Sequence, residues 1–487
     1  MKSVSGLWSL WPLLLTLLSE CSKPPPHSPA QTPASSLPAS APSELIWHYR
    51  VRFEAGSELF VQARFDSETD GVFAIDDELS PYVQKLEIAQ GDHFVPVAKR
   101  DASSWFVPCS AGCSIRYRFA LREATESLGQ PDTAIASGDV LISPPSNWLL
   151  HPGLERRNGE FELEVEPGAE ARFVSAFEPI SAHPANHYRA TIGVLEDASF
   201  AAFGPLHLVE IPAGDGTVQL GVATRNLALT AAQAQAWVAT SASAVASYYR
   251  GHLPARRTLV LLMQGSGEST RGITLGGGGP GILVRAADHM TPENTRDDWV
   301  VTHELLHANF PDVGPAHSWL SEGLATYLEP IIRTRAGLVN EAKVWRDMVD
   351  GMPQGLPQAG DRGLEYTRTW GRTYWGGALF CLVADVELRE KTGNRHSLDD
   401  VLLAIGKTGD SDEDYWPIER VLEMAERATS TQIFAELFER LAKKPGTIDL
   451  AALFSRLGVR AQGDSVVFDE HAPLAALRKS ITARRPD

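Results

Sequence analysis

Cysteine is scarce in this chain, with four in 487 residues. That count excludes a disulfide-built scaffold. Cys109 and Cys113 form a C-x3-C pair. A zinc ribbon would need a second such pair, which is missing. In an oxidising compartment the pair reads as a local disulfide clamping a turn, and Cys381 reads as a buried thiol. Positive charge is also short: 44 Lys and Arg stand against 61 Asp and Glu, a formal net charge of −17. A nucleic-acid partner is therefore not expected. The apolar stretch Leu7 to Leu18 is too short to anchor the chain by spanning a bilayer. No internal repeat is evident. Four glycines, Gly276 to Gly279, are followed by no Gly-Lys-Ser/Thr, so they are not a phosphate-binding loop.

What is present centres on Val301-Thr302-His303-Glu304-Leu305-Leu306-His307. This is H-E-x-x-H inside an apolar run. Two His four apart on a helix lie one above the other on the same face. That spacing lets both imidazoles reach one Zn²⁺ at about 2.0–2.1 Å, and Glu304 can then act as general base on a metal-bound water. The pattern predicts a helix from Arg296 to Phe310. Asn294 or Thr295 would be its N-cap, Asp297 and Asp298 would fall in its first turn, and Pro311 would stop it. A plain core helix would account for Val300, Val301, Leu305 and Leu306. It would not account for two His and a Glu among them, since buried polar groups are costly unless paired or metal-bound.

Downstream lies Trp319-Leu320-Ser321-Glu322-Gly323-Leu324-Ala325-Thr326-Tyr327. Val313 stands where a metzincin would place its third His, so that class is excluded. The run instead resembles the W-x-x-E-G-x-A/T-x-Y helix of the gluzincins, of the aminopeptidase N and glycyl aminopeptidase families. That resemblance implies His303, His307 and Glu322 as zinc ligands, with a fourth position open for water, as a catalytic site requires. His317 is a rival third ligand. The fourteen residues between His307 and Glu322 are a shorter connection than those families usually have. A second segment, Thr373-Tyr374-Trp375-Gly376-Gly377, continues through Asp385, Arg389, Thr392, Gly393 and Ser397-Leu398-Asp399-Asp400. It is similar to the Y-x-K-G…D…L-R…T-x-G…S-L-D-D segment of the glycyl aminopeptidases. By that resemblance Tyr374 would donate a hydrogen bond to the oxyanion, with Tyr366 as the alternative donor. Arg368 and Arg372 are weaker candidates for binding a substrate carboxylate. The resemblance also implies an edge strand ahead of the zinc helix to pair with substrate, read here as Ile282 to Val284 with the glycines just before it. Aminopeptidase N relatives carry G-x-M-E-N there, and its amine-binding Glu has no counterpart in this chain. The specific motifs span about residues 255–410.

The rest of the chain is read by composition and pattern. Lys2 and the apolar stretch suit an export signal over residues 1–21. Leu18-Ser19-Glu20-Cys21 resembles a bacterial lipobox, with Glu20 a departure. The expectation is an exported protein, in the bacterial cell envelope with a candidate lipid anchor at Cys21, or secreted. Residues 22–44 are rich in Pro, Ser and Ala and read as an extended tether. Residues 45–205 alternate apolar and polar in short runs, as in a β-sandwich. Residues 206–350 would be the thermolysin-like zinc domain and 351–487 a mainly helical region. The fold class expected is α+β multidomain: an antiparallel β-sandwich, a gluzincin catalytic domain and a helical C-terminal part. His151, His183, His187 and His289 read as packing or solvent histidines.

The expected function is zinc-dependent hydrolysis of a peptide or protein substrate. Two rivals remain at this stage: a non-catalytic surface module with a degenerate or structural zinc site, and a zinc hydrolase acting on another bond. The sequence does not give the oligomeric state.

Overall fold

Alternation of apolar and polar residues builds the N-terminal half. Trp47, Tyr49, Val51 and Phe53 are buried in strand Ile46–Glu54, while Arg50 and Arg52 face solvent. Leu59, Val61, Ala63 and Phe65 repeat the pattern in Glu58–Phe65, as period-two side chains require when one face is covered. The computed structural model describes residues 46–484, apart from 67–68, 154–156, 181–185 and 409–414. The export segment, Cys21, the tether and His183 lie outside the described residues.

These strands belong to an eight-stranded sheet. Its order is Glu178–Pro179, His187–Thr191, Glu160–Glu166, Ile46–Glu54, Glu58–Phe65, Cys113–Phe119, Val83–Gln90, His93–Pro96. Neighbours run antiparallel except Ile46–Glu54 beside Glu160–Glu166, which are parallel. A four-stranded sheet, ordered Arg172–Ser175, Ala201–Gly204, Val140–Ile142, Ile135–Ser137, packs across it. Leu141, Phe173 and Phe203 of the small sheet join the core under the large one. Cys109 and Cys113 form the expected disulfide beside this core.

The small sheet is apolar on its other face too. Val140, Ile142, Val174 and Ala202 meet Leu259, Leu261 and Leu283 of a third sheet. That sheet is ordered His207–Ala213, Gly216–Val222, Arg257–Gln264, Gly281–Ala286, Arg271–Leu275. Its central strand is buried from Thr258 to Met263. A continuous apolar run of this kind suits a parallel strand covered on both faces, and Arg257–Gln264 is indeed parallel to both neighbours. Val260, Leu262, Ile282 and Val284 face the helices. The core they start is unbroken, and it takes in Leu305, Trp345, Phe380, Leu402 and Leu457. The helices beyond residue 350 therefore share one interior with the zinc-motif helix.

The edge strand differs from the sequence expectation. Ile282 to Val284 lies inside the sheet, between Arg257–Gln264 and Arg271–Leu275. The exposed edge is Arg271–Leu275, so the glycines follow the edge strand instead of preceding it. They turn against the β-sandwich, where Ser199 donates from its backbone to Gly277 O (2.8 Å) and from its hydroxyl to Leu275 O (3.0 Å). The close approach is to the neighbouring domain's backbone, which is why glycine is needed there.

Candidate active site

The zinc-motif helix is shorter than its pattern suggested, spanning Val300–His307. Asn294–Arg296 forms a separate 3-10 turn, and Trp299 occupies the N-cap position. Asp298 explains the late start. Its carboxylate accepts from Val300 N (3.0 Å), a side-chain bond that ends the helix on its N-terminal side. Burial raises the Asp298 pKa. Val301, Leu305 and Leu306 hold the helix in the core, leaving His303, Glu304 and His307 on the side toward the edge strand and the next helix.

That next helix is Ser318–Arg335, and it carries Glu322. His303 Nε2 lies 3.2 Å from Glu322 Oε2, His307 Nε2 lies 3.3 Å from the same oxygen, and the two Nε2 atoms are 3.2 Å apart. The three donors thus form a nearly equilateral triangle. A tetrahedral Zn²⁺ bound at about 2.0–2.1 Å from each ligand spaces those ligands about 3.3 Å apart. Chemistry and spacing therefore both fit zinc. Among the described residues no other group of His, Cys, Asp and Glu converges in this way. Ring packing sets the imidazole planes: Trp299 meets His303 edge-on at 5.1 Å, and His303 meets His307 at 4.9 Å. His303 Nδ1 is buried without a hydrogen-bond partner, so packing has to do what a hydrogen bond usually does for a ligating His.

The electrostatics of the triad follow from proximity. Burial opposes ionisation of Glu322, but hydrogen bonds and charge from His303 and His307 outweigh it and hold the carboxyl below the usual range. Burial opposes the charged form of His307, yet Glu322 raises its pKa overall.

Glu304 points at the edge strand. A Cβ at Gly272 would overlap the Glu304 side chain, so this strand position needs glycine for close approach. Two residues on, the Thr274 hydroxyl donates to Glu304 Oε2 at 2.7 Å. Neither residue was singled out from sequence. Period-two alternation places Gly272 and Thr274 on one face of the strand, but only the register shows that this face meets Glu304.

Tyr374 sits in a π-helical turn, Arg372–Gly376, that opens helix Gly377–Thr392. Such turns are frequent at functional sites. Its hydroxyl comes near the triad. Burial first, then the charges of Glu322 and Glu304 and a hydrogen bond to Glu322, push its pKa well up, which keeps it a proton donor. Gly323 and Gly377 bring it there: a Cβ on Gly323 would fall within the Gly377 backbone, and one on Gly377 would meet Trp319 O. The two helices cross backbone to backbone.

The other candidates are placed elsewhere. His317 gives Nδ1 to Glu365 (2.9 Å), which also accepts from Trp319 Nε1 (2.7 Å), and it is not part of the triad. Tyr366 is exposed and packs on Arg362. Arg372 is buried and paired with Asp361 (2.8 Å), so it is spent on structure. Arg368 is exposed. His151 bonds Pro152 O, and His187 faces Glu162 on the large sheet. Trp299 and Trp370 are large exposed aromatics beside His303 and Tyr374.

No protein-family model and no curated protein matches the sequence. The fold does match solved structures. An aminopeptidase N family protein from Idiomarina loihiensis aligns with a TM-score of 0.65 at 14% identity, over 85% of this chain and 79% of that one. The chain thus resembles the gluzincins in architecture as well as in motif. An M1 zinc metallopeptidase from Deinococcus radiodurans aligns over 82% of this chain and 94% of its own at 14% identity, with a TM-score of 0.48. A form of it bound to a Tyr-Ser-Ala substrate scores 0.49. Both overlaps are too loose to bear on the fold.

Proposed function

We propose that this protein is an exported zinc-dependent peptidase. The observation that supports it best is the His303–His307–Glu322 triangle, with Glu304 held beside it and Tyr374 brought up from another helix. Zn²⁺ held by these three residues would polarise the scissile carbonyl and activate the attacking water. Glu304 takes the proton from that water and passes it to the leaving amine. Tyr374 donates its hydroxyl hydrogen to the oxygen that becomes negative as the carbonyl is attacked. As the outermost strand of its sheet, paired on one side with Gly281–Ala286, Arg271–Leu275 is placed for an extended substrate to add alongside it. It carries no carboxylate for a free amine, so the reading is peptide hydrolysis and not strict aminopeptidase action.

The test is a peptide-library digest with parent protein, Glu304→Gln and Tyr374→Phe, each assayed for zinc. The parent is expected to cleave. Glu304→Gln should keep zinc and lose most activity, and Tyr374→Phe should keep zinc and lose about 10²-fold in kcat. A zinc-loaded parent that cleaves no peptide, or a Glu304→Gln protein that cleaves at the parental rate, would sink the proposal.

A further inference from the structure

We infer that Thr274 is a positioning residue for Glu304, fixing which of its carboxylate oxygens meets the reacting water. The inference rests on the peptidase reading. Three observations carry it. The Thr274 hydroxyl donates to Glu304 Oε2 at 2.7 Å, a short, charge-assisted geometry. Thr274 Oγ1 also lies 3.3 Å from the backbone oxygen of Glu304, so the hydroxyl sits against this one residue from two directions. Gly272, on the same face of the strand, leaves the space the carboxylate fills.

Together these make a seat for Glu304 out of one short stretch of strand. Glycine at 272 admits the side chain, and threonine at 274 pins one oxygen. A Glu has three rotatable side-chain torsions, and its terminal torsion is broad. Without a pin, the carboxylate would sample orientations that do not present an oxygen to water. With Oε2 engaged, Oε1 is the oxygen left to accept the proton. Thr274 does not touch the substrate bond in this account. It acts through Glu304. The seat is also tied to the β-sandwich, because Ser199 binds Leu275 O, the next residue along.

The experiment compares Thr274→Val and Thr274→Ser with the parent. Valine keeps the shape and strand preference and puts a methyl where the hydroxyl was, so the hydrogen bond is lost. Thr274→Val should lower kcat about ten-fold, the scale of one hydrogen bond to a charged group, with KM and zinc content unchanged. Thr274→Ser should recover most of the loss. A second readout needs no activity: a double-mutant cycle of Thr274→Val with Glu304→Ala, followed by thermal unfolding of the metal-free protein. Thr274→Val should lower the midpoint when Glu304 is present and change it less when Glu304 is absent. Parental kcat in Thr274→Val, a Thr274→Ser variant as impaired as Thr274→Val, or additive midpoint shifts would each overturn the inference. A parent that cleaves no peptide would defeat the functional reading instead, while the unfolding cycle would still decide the Thr274–Glu304 contact.

Discussion

Replacing Gly323 by alanine tests whether the site is assembled by the helix crossing. On an ordinary helix interior, glycine to alanine stabilises by about 0.5–1 kcal/mol, because glycine gives up more backbone freedom on folding. At Gly323 the new Cβ would fall within contact distance of Gly377 Cα and C and Ala378 N. All three are backbone atoms of a packed helix, so they cannot turn aside as a side chain could. Carbon atoms sit about 3.5–4.0 Å apart at rest, so the helices must part by about 1–2 Å. Overpacking of this kind costs about 1–3 kcal/mol. The sign of the change is therefore the diagnostic. The same displacement moves Tyr374 away from Glu322, and a misplacement of about 1 Å can cost about 10² in rate. The assay is urea unfolding together with kcat/KM per bound zinc. Gly323→Ala should unfold earlier and lose more activity than its loss of stability explains. A variant that is more stable than the parent and fully active would refute the close crossing and its role in placing Tyr374.

Three further outcomes follow from other parts of the structure. Glu322→Ala should lose nearly all bound zinc while His317→Ala retains it, since His317 is held by Glu365 outside the triad; metal analysis after dialysis decides. Glu329 is buried beside Arg333, and burial raises its pKa from 4.5 to about 7. A raised folded-state pKa adds stability that is fully present below about pH 4.5 and lost as pH rises through about 7, up to about 3 kcal/mol. Relative to Glu329→Gln, the metal-free parent should thus lose stability between about pH 5 and about pH 8, and identical slopes for the two proteins would count against this. Asp385→Ala should destabilise by about 3–5 kcal/mol. It would take from Arg389 its closest carboxylate (2.9 Å), leaving it Asn394 and the more distant Asp399, and leave the Tyr327 hydroxyl and Leu398 N without their acceptor, all in the interior; thermal unfolding reads it.

Asp385 also shows what the motif letters meant. The stretch from Asp385 to Asp400 was recognisable only as a family-like pattern. In the structure it is a buried framework. Asp385 receives Tyr327, Arg389 and Leu398, Arg335 pairs with Asp399 (3.0 Å), and Ser397 with Asp400 forms a capping box. These contacts fix helix Leu398–Gly406 against the helices of Glu322 and Tyr374. They carry structure. Likewise, Gly323 looked like a motif letter and turned out to be a place where two backbones touch.

The sequence by itself determined the local facts. Period two in residues 46–65 gave strands with one wet face, because successive side chains point opposite ways. Four-residue spacing put His303 and His307 on one helical face, because a helix turns in 3.6 residues. An apolar run at Thr258 to Met263 gave a strand covered on both sides. Tertiary structure decided everything that depends on distance through space. It brought Glu322 to the two histidines, left His317 with Glu365, consumed Arg372 in an ion pair, and put Arg271–Leu275 rather than Ile282–Val284 at the sheet edge. It also seated Glu304 on Gly272 and Thr274, some thirty residues earlier in the chain. Periodicity fixes which side of an element a residue occupies. Which element then faces it depends on register and packing, and no local pattern encodes those.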